Sequence, residues 1–312
     1  MATITTSSDG IGPMIQSLLQ VPMFLGDDHV RQNVIPTVLT TIGAVSFVYW
    51  TAFSRIATAL LPKPKKTSTS DGGDATKQLL RDRRLLAYQI TNFVTNTYIG
   101  LAGLWFQYVV MPKYNTTTME DKVQGLDELY YLGTVQIGFQ IWSILVGIFL
   151  VEESTQMLLH HVAVIFASSK SVFFTNGFRY YAPLALGMTE LSSVPLSVMN
   201  AFKNSEEWRD QYPQYYLASR LIFAVMFLGI RIAIFVPQHI EYLKYSWLVM
   251  YWSHEQSMGY RLFMFSCWLG AAFLMFLQLL WGYLIVKGLA NFALNNHIRI
   301  QKEENTVGKK LN

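Results

Sequence analysis

The sequence is short of most of what a soluble catalytic or metal-binding domain uses. It holds one cysteine, Cys267, in 312 residues. That count excludes an intrachain disulfide, a thiolate metal cluster and a redox pair. Charged residues make up 14% of the chain, against roughly 25% in an average soluble domain. The six histidines are His29, His160, His161, His239, His254 and His297, with no HxxxH or HxxHH box among them. Membrane di-iron desaturases and hydroxylases require such boxes, so that class is excluded and no metal is expected. The last apolar run has no lysine at its centre, which reads "GAAFLMFLQLLWG" (270–282), and Lys287 lies near its end. A retinal Schiff base is therefore excluded. The first 33 residues lack a basic n-region, and their apolar stretch "MIQSLLQVPMFL" is short and contains a proline. This does not read as a signal peptide.

What the chain has in abundance is apolar sequence, 52%, gathered into long runs with short polar gaps. Such runs indicate membrane helices rather than one soluble core. The expected fold is all-α, a polytopic transmembrane bundle of about seven spans at 34–61, 85–111, 128–150, 156–175, 180–200, 217–238 and 261–290. A tight turn near "TNGFR" (175–179) joins the fourth and fifth into a hairpin. The domain plan is a lumenal N-terminal segment (1–33), a leading span (34–61), a basic linker (62–84), a six-helix domain (85–290) and a tail (291–312). The linker "KPKKTSTSDGGDATKQLLRDRR" carries seven Lys and Arg, which marks it as cytosolic. Seven spans then leave the N-terminus lumenal and the C-terminus cytosolic. The loop at 112–127 falls on the lumenal side and contains "NTT" at Asn115, a glycosylation sequon. The chain ends "GKKLN". Lys309 and Lys310 resemble a dilysine retrieval signal, which coat proteins read on a cytosolic tail of an endoplasmic reticulum protein. The basic tail and linker account for the pI near 9.0. No basic face interleaved with aromatics lies outside the membrane, so nucleic acid is not an expected partner.

Polar side chains inside hydrocarbon mark a bundle interior or a cavity. The second span places Gln89, Asn92 and Asn96 on one face, and Gln136 and Gln140 are four apart in the third. The fourth aligns Glu153, His160, Ser168, Ser171 and Thr175 on one face, with His161 about 100° away from His160. The fifth carries Glu190 and Ser197 in line, with Ser193 and Asn200 beside them. An acid at the middle of a span costs on the order of 3 kcal/mol unless it is paired or hydrated. Arg231 in the sixth span is the candidate partner of Glu190. Lys170, near the lumenal end of its span, is expected to snorkel. Asn92, Asn96, Gln136, Gln140, Ser168, Ser193, Ser197, Asn200 and Arg231 form the expected polar lining of a lipid cavity. Imidazole can act as base or nucleophile near neutral pH, so His160, His161 and Glu190 are the candidate catalytic group.

A leading span, a basic linker and six further spans resemble the TLC-domain family, which includes ceramide synthases, translocation-chain-associating proteins and lipid-homeostasis proteins. The most specific part of the resemblance is "LLHHVAVIFASSKSVFFTNGFRYYAPLALGMTELSSVPLSVMNAFK" (158–203). His160 and His161 match the double histidine of ceramide synthases, and Arg179 matches the arginine of the following turn. Thr189 and Glu190 stand where those enzymes have a histidine–aspartate pair, and Ser193 stands in place of a second aspartate. The string "TELSSVPLSVMN", through Glu190, Ser192, Pro195 and Asn200, is similar instead to the non-synthase members. The resemblance implies a six-helix barrel around a cavity that takes a membrane lipid or fatty acyl chain. The function it implies is an endoplasmic reticulum protein that binds, senses or modifies lipids. The alternatives are an acyl-CoA-dependent N-acyltransferase, with acyl-CoA as co-substrate and no resident cofactor, and a non-enzymatic cargo receptor or chaperone.

Overall fold

The computed structural model describes residues 30–61, 72–114, 118–124, 126–174, 177–252 and 257–311, and no strand occurs among them. Thr175 and the sequon at Asn115 lie outside the described residues. Nine helices among the described residues organise the fold. They are α1 (Val30–Leu60), α2 (Gly72–Trp105), α3 (Met119–Gln124), α4 (Tyr130–Val151), α5 (Thr155–Phe173), α6 (Ser193–Lys203), α7 (Glu206–Gln211), α8 (Pro213–Tyr251) and α9 (Met258–Leu311). Of these, α1, α4, α8 and the Met258–Leu294 part of α9 are long and apolar enough to cross a membrane. The chain is an all-α polytopic membrane protein. The remaining three expected spans, α2, α5 and the run ending in α6, are helical but too polar or too broken to meet that measure.

Six elements close a ring. Helix α4 packs on α5, α5 on α9, α9 on α8, α8 on α6, α6 on α2, and α2 back on α4. Helix α1 lies outside, against α4 and α2. Its far side, with Leu39, Phe47 and Trp50, stays exposed, as a lipid-facing stripe would. Helix α4 is the central element: 67% of its apolar window is buried, against 17% in α1. A stacked group of Tyr88, Phe139 and Trp142 fills the space between α2 and α4, and Tyr49 of α1 meets Trp142 edge-on.

The linker and tail depart from the expected plan. Residues 72–84, assigned to a linker, already belong to α2. The stretch "KQLLRDRRLL" is rich in good helix formers, and Gln78 donates to Asp82 one turn on at 3.0 Å. Likewise α9 continues to Leu311, so Lys309 and Lys310 sit on a helical backbone rather than a separate tail.

The fifth run is the irregular one. Its backbone passes through a 3-10 turn (Arg179–Tyr181), a π turn (Pro183–Gly187), a second 3-10 turn (Met188–Ser192) and then α6. Two prolines explain the breaks. Pro183 opens the π turn, and Pro195 falls in the first turn of α6, where its missing N–H is tolerated. Glycines let this run lie directly on α2. A Cβ on Gly103 would meet Met188 N at 2.5 Å and Gly187 Cα at 2.6 Å, so neither glycine accepts a side chain without backbone movement. This close approach of small residues fixes the depth at which Glu190 enters the bundle.

Two side chains take structural roles. Arg179 is 2% exposed and donates to the carbonyls of Ser171 and Phe174, each at 2.9 Å. It caps the C-terminal end of α5, where unsatisfied carbonyls favour a cation. Lys170 does not snorkel: it is fully buried, hydrogen-bonded to Ser246 Oγ, with its ammonium 3.8 Å from the Phe178 ring centroid. Phe178 and, from α8, Tyr242 and Ser246 lie against it, so its route to the surface is closed. At the same end of the bundle, Thr118 and Asp121 form a reciprocal cap on α3. The Thr118 hydroxyl and backbone N–H hold the Asp121 carboxyl below the usual carboxylate range, and Lys122 ties α3 to Glu241 of α8 at 2.7 Å.

Candidate functional site

A cavity of about 490 Å³ lies inside the ring, within the range of roughly 300–1,000 Å³ typical of ligand pockets. It lies toward the end of the bundle where α5 and α8 begin, near Met157 and Leu217, with Tyr88 from the middle of α2 beside it. Its two sides differ in chemistry. Helices α2, α4, α5 and the run into α6 supply Gln89, Asn92, Asn96, Gln140, both histidines, Glu190, Ser193, Ser197 and Asn200. Helices α8 and α9 supply Leu217, Leu221, Phe227, Trp281, Leu284 and Leu289, interrupted by Arg220 and Arg231.

The floor is an ion pair with its hydrogen bonds filled in. Arg231 Nη2 lies 3.5 Å from Glu190 Oε2, and both residues are buried. The same arginine donates to Ser192 Oγ at 2.6 Å, Ser193 Oγ at 2.8 Å, Thr189 O at 3.2 Å and Gln278 Oε1 at 3.3 Å. Ser193 in turn donates to Glu190 Oε2 at 2.9 Å. A buried charge pair is tolerable in this setting because nearly every remaining donor and acceptor is used.

From Glu190 a directed chain of hydrogen bonds reaches the histidines. Gln136 Nε2 contacts two acceptors, Leu186 O at 2.9 Å and Glu190 Oε1 at 3.1 Å, so it must be the NH₂ end of the amide. Gln136 Oε1 is thereby left to accept from Gln140 Nε2 at 2.8 Å. Gln140 Oε1 then lies 2.5 Å from His161 Nδ1, which must carry a proton to donate to a carbonyl oxygen. In the neutral ring, His161 Nε2 is consequently a bare lone pair. It is buried, has no hydrogen-bond partner within the protein and borders the cavity.

The roughly 100° between the two histidines sends them to different neighbours while both still border the cavity. His161 turns to Gln140 on α4, and His160 turns to Trp281 on α9, edge-on at 5.4 Å. The His160 and His161 ring centroids are 5.7 Å apart. Of the expected lining residues, Asn92, Asn96, Gln140, Ser193, Ser197, Asn200 and Arg231 border the cavity. Gln136 and Ser168 do not. Gln136 sits behind the wall in the hydrogen-bond chain. Ser168 lies where α5 passes close to Gly133 of α4, and its carbonyl accepts from Ser171 Oγ at 2.8 Å. Sequence reasoning missed Trp281, Tyr88 and Arg220. Trp281 is embedded in an apolar run and leaves no polar signal. Arg220 does leave one, since it stands 11 residues, close to three helical turns, before Arg231. Among the described residues no group of three or more His, Cys, Asp and Glu side chains is placed to hold a metal.

A ring of helices around an amphipathic cavity, with a double histidine at the start of one helix, defines a polytopic membrane protein with an internal cavity. The TLC domain model matches residues 85–287, and the chain belongs to the TLC-domain family, a family of membrane proteins linked to lipid biology. The match begins within α2 and ends within α9, so it takes in the closed ring and leaves α1 outside. No curated protein and no solved structure matches the chain significantly.

Proposed function

We propose that the protein resides in the endoplasmic reticulum membrane and holds an amphiphilic lipid in this cavity, through which it senses or modifies membrane lipid composition. The observation that carries the reading is the division of one intramembrane cavity into a polar side and an apolar side, over a floor whose charge pair is internally matched. An alkyl chain fits along α8 and α9, and a polar end meets α2, α4 and α5. The basic stretch before α2 and the residues Lys309 and Lys310 support a cytosolic position for both, with coat-protein retrieval through the dilysine.

The test is lipid retention. Gly288 borders the cavity, and a Cβ there meets nothing within 4 Å. Gly288→Trp therefore places bulk in the cavity without pushing on a neighbouring helix. Native mass spectrometry of purified protein is expected to show a retained lipid in wild type and loss of most of it in the variant. Equal retention in both overturns the assignment of the cavity as the lipid site.

A second reading, acyl transfer from acyl-CoA to a lipid amine, is favoured by one observation: the bare Nε2 of His161 is set by the glutamine chain to accept a proton. Purified protein with labelled acyl-CoA and an amine acceptor is expected to form amide under this reading, and His161→Ala is expected to abolish it. No transfer by wild type removes the enzymatic reading and leaves the binding reading standing.

A further inference from the structure

The unpartnered atoms of the cavity define the polar end that fits it. We infer that the bound amphiphile presents an uncharged polar end with several hydroxyl or amide donors, rather than a carboxylate or phosphate. The inference rests on the lipid-binding reading above and names the ligand class for that same site.

An anionic head group needs a cation with free N–H donors. Arg231 is the cation at the floor, and its Nε–H, both Nη2–H groups and one Nη1–H are already engaged by Thr189, Ser192, Glu190, Ser193 and Gln278, which leaves one of its five N–H groups to a ligand. Its charge faces the carboxylate of Glu190 at 3.5 Å. An anion brought beside this pair would meet Glu190 as well as Arg231, with a single N–H to receive it. Arg220 also borders the cavity but is exposed beside the Tyr216 ring at 5.6 Å, so an anion attracted there gains from a water-screened charge rather than a buried one.

What the polar side does offer is acceptors. His161 Nε2 is one, forced by the chain from Glu190. Asn92 Oδ1 and Asn96 Oδ1, one turn apart on α2, are two more. All three are buried and have no partner within the protein. His160 Nδ1 is also buried without a partner and suits either role. A carboxylate or phosphate brings only acceptors to these atoms and leaves each of them unsatisfied, whereas a diol or amide can satisfy them. Sites that expect a hydrogen-bonding partner discriminate strongly against analogues that lack it.

The experiment uses full-length protein in nanodiscs and four probes that share an oleoyl chain. These are 1-monooleoylglycerol, its 2,3-dimethyl ether, oleate and 1-oleoyl lysophosphatidate with its 2-hydroxyl methylated. The diol is expected to bind at least tenfold more tightly than each of the other three. Asn96→Leu is expected to bring the diol and its dimethyl ether to within about twofold of each other, with the unliganded melting temperature checking that the variant is folded. The dimethyl ether removes the donors from the ligand alone, so the comparison on wild type stands even where the variant fails to fold. Tighter binding of oleate or lysophosphatidate, or equal binding of diol and dimethyl ether to wild type, overturns the inference while leaving the cavity a lipid site. Binding of none of the four overturns both.

Discussion

The side of the cavity built by α2, α4, α5 and the run into α6 carries amides, hydroxyls and both histidines, whereas α8 and α9 opposite present mainly leucine and phenylalanine around two arginines. On the polar side Gln140, His161, Glu190 and Ser193 are tied to other residues through hydrogen bonds, most of which cross between elements. On the apolar side the contacts of the leucines and phenylalanines are non-directional, and Leu221 and Leu284 are about half exposed. The two sides should therefore fail differently. Damage to the polar side strands partners on other helices. Damage to the apolar side changes shape and leaves little behind.

The largest effect is expected where the two sides meet. Glu190→Ala leaves the buried guanidinium of Arg231 without its counter-charge, and removing one partner of a buried pair typically costs about 3–5 kcal/mol. Thermal unfolding in detergent should show a drop of that size. Replacing Glu190 and Arg231 together by leucine should recover at least half of the loss, because no uncompensated charge remains. A double variant as unstable as the single would mean that Arg231 is held mainly by Ser192, Ser193 and Gln278 rather than by the acid.

How far the sequence reached can be judged at these residues. The apolar side announces itself, since α8 and α9 are long apolar runs and their place as spans follows from length and hydropathy alone. The polar side is legible only in part. The spacings of Gln136 with Gln140 and of Asn92 with Asn96 mark inward faces, and the isolated Glu190 demands the partner that Arg231 supplies at 3.5 Å. Asn92 and Asn96 lower the hydropathy of α2, as His160, His161 and the serines lower that of α5. Two of the elements that carry the polar side are therefore among those least visible as membrane helices. The break of the fifth run into 3-10 and π turns was hidden because it depends on Gly103 of another helix as much as on Pro183 and Pro195. Lys170 was misread for a similar reason: its helix position alone favours snorkelling, but the rings of Phe178 and Tyr242 come from other elements. The protonation of His161 depends on three helices at once, and no local pattern encodes it.

A middle-sized effect tests that chain directly. Gln140→Leu keeps the approximate volume but strands Gln136 Oε1 and the Nδ1–H of His161. Leaving a buried donor or acceptor unsatisfied costs about 1–3 kcal/mol each. The proton on His161 should then no longer be held at Nδ1, which nitrogen-15 NMR of labelled histidine reports. An unchanged Nδ1–H population in Gln140→Leu would show that the chain from Glu190 does not set the tautomer.

The smallest effect is expected on the apolar side, and it is the one that separates packing from lining. Leu284 borders the cavity and is 51% exposed, whereas Leu132 on α4 is 1% exposed and packed between helices. A buried leucine truncated to alanine loses about 2–5 kcal/mol through lost transfer energy and the void left behind. Leu132→Ala should fall in that range. Leu284→Ala creates no new enclosed void, since its side chain already faces open space, and it should cost less than about 1 kcal/mol. Its effect should appear in the ligand instead, with a shift toward a bulkier or longer chain among the retained lipids. If Leu284→Ala destabilises the protein as much as Leu132→Ala does, the α9 side of the cavity is packed core, and the division into two kinds of wall fails at that helix.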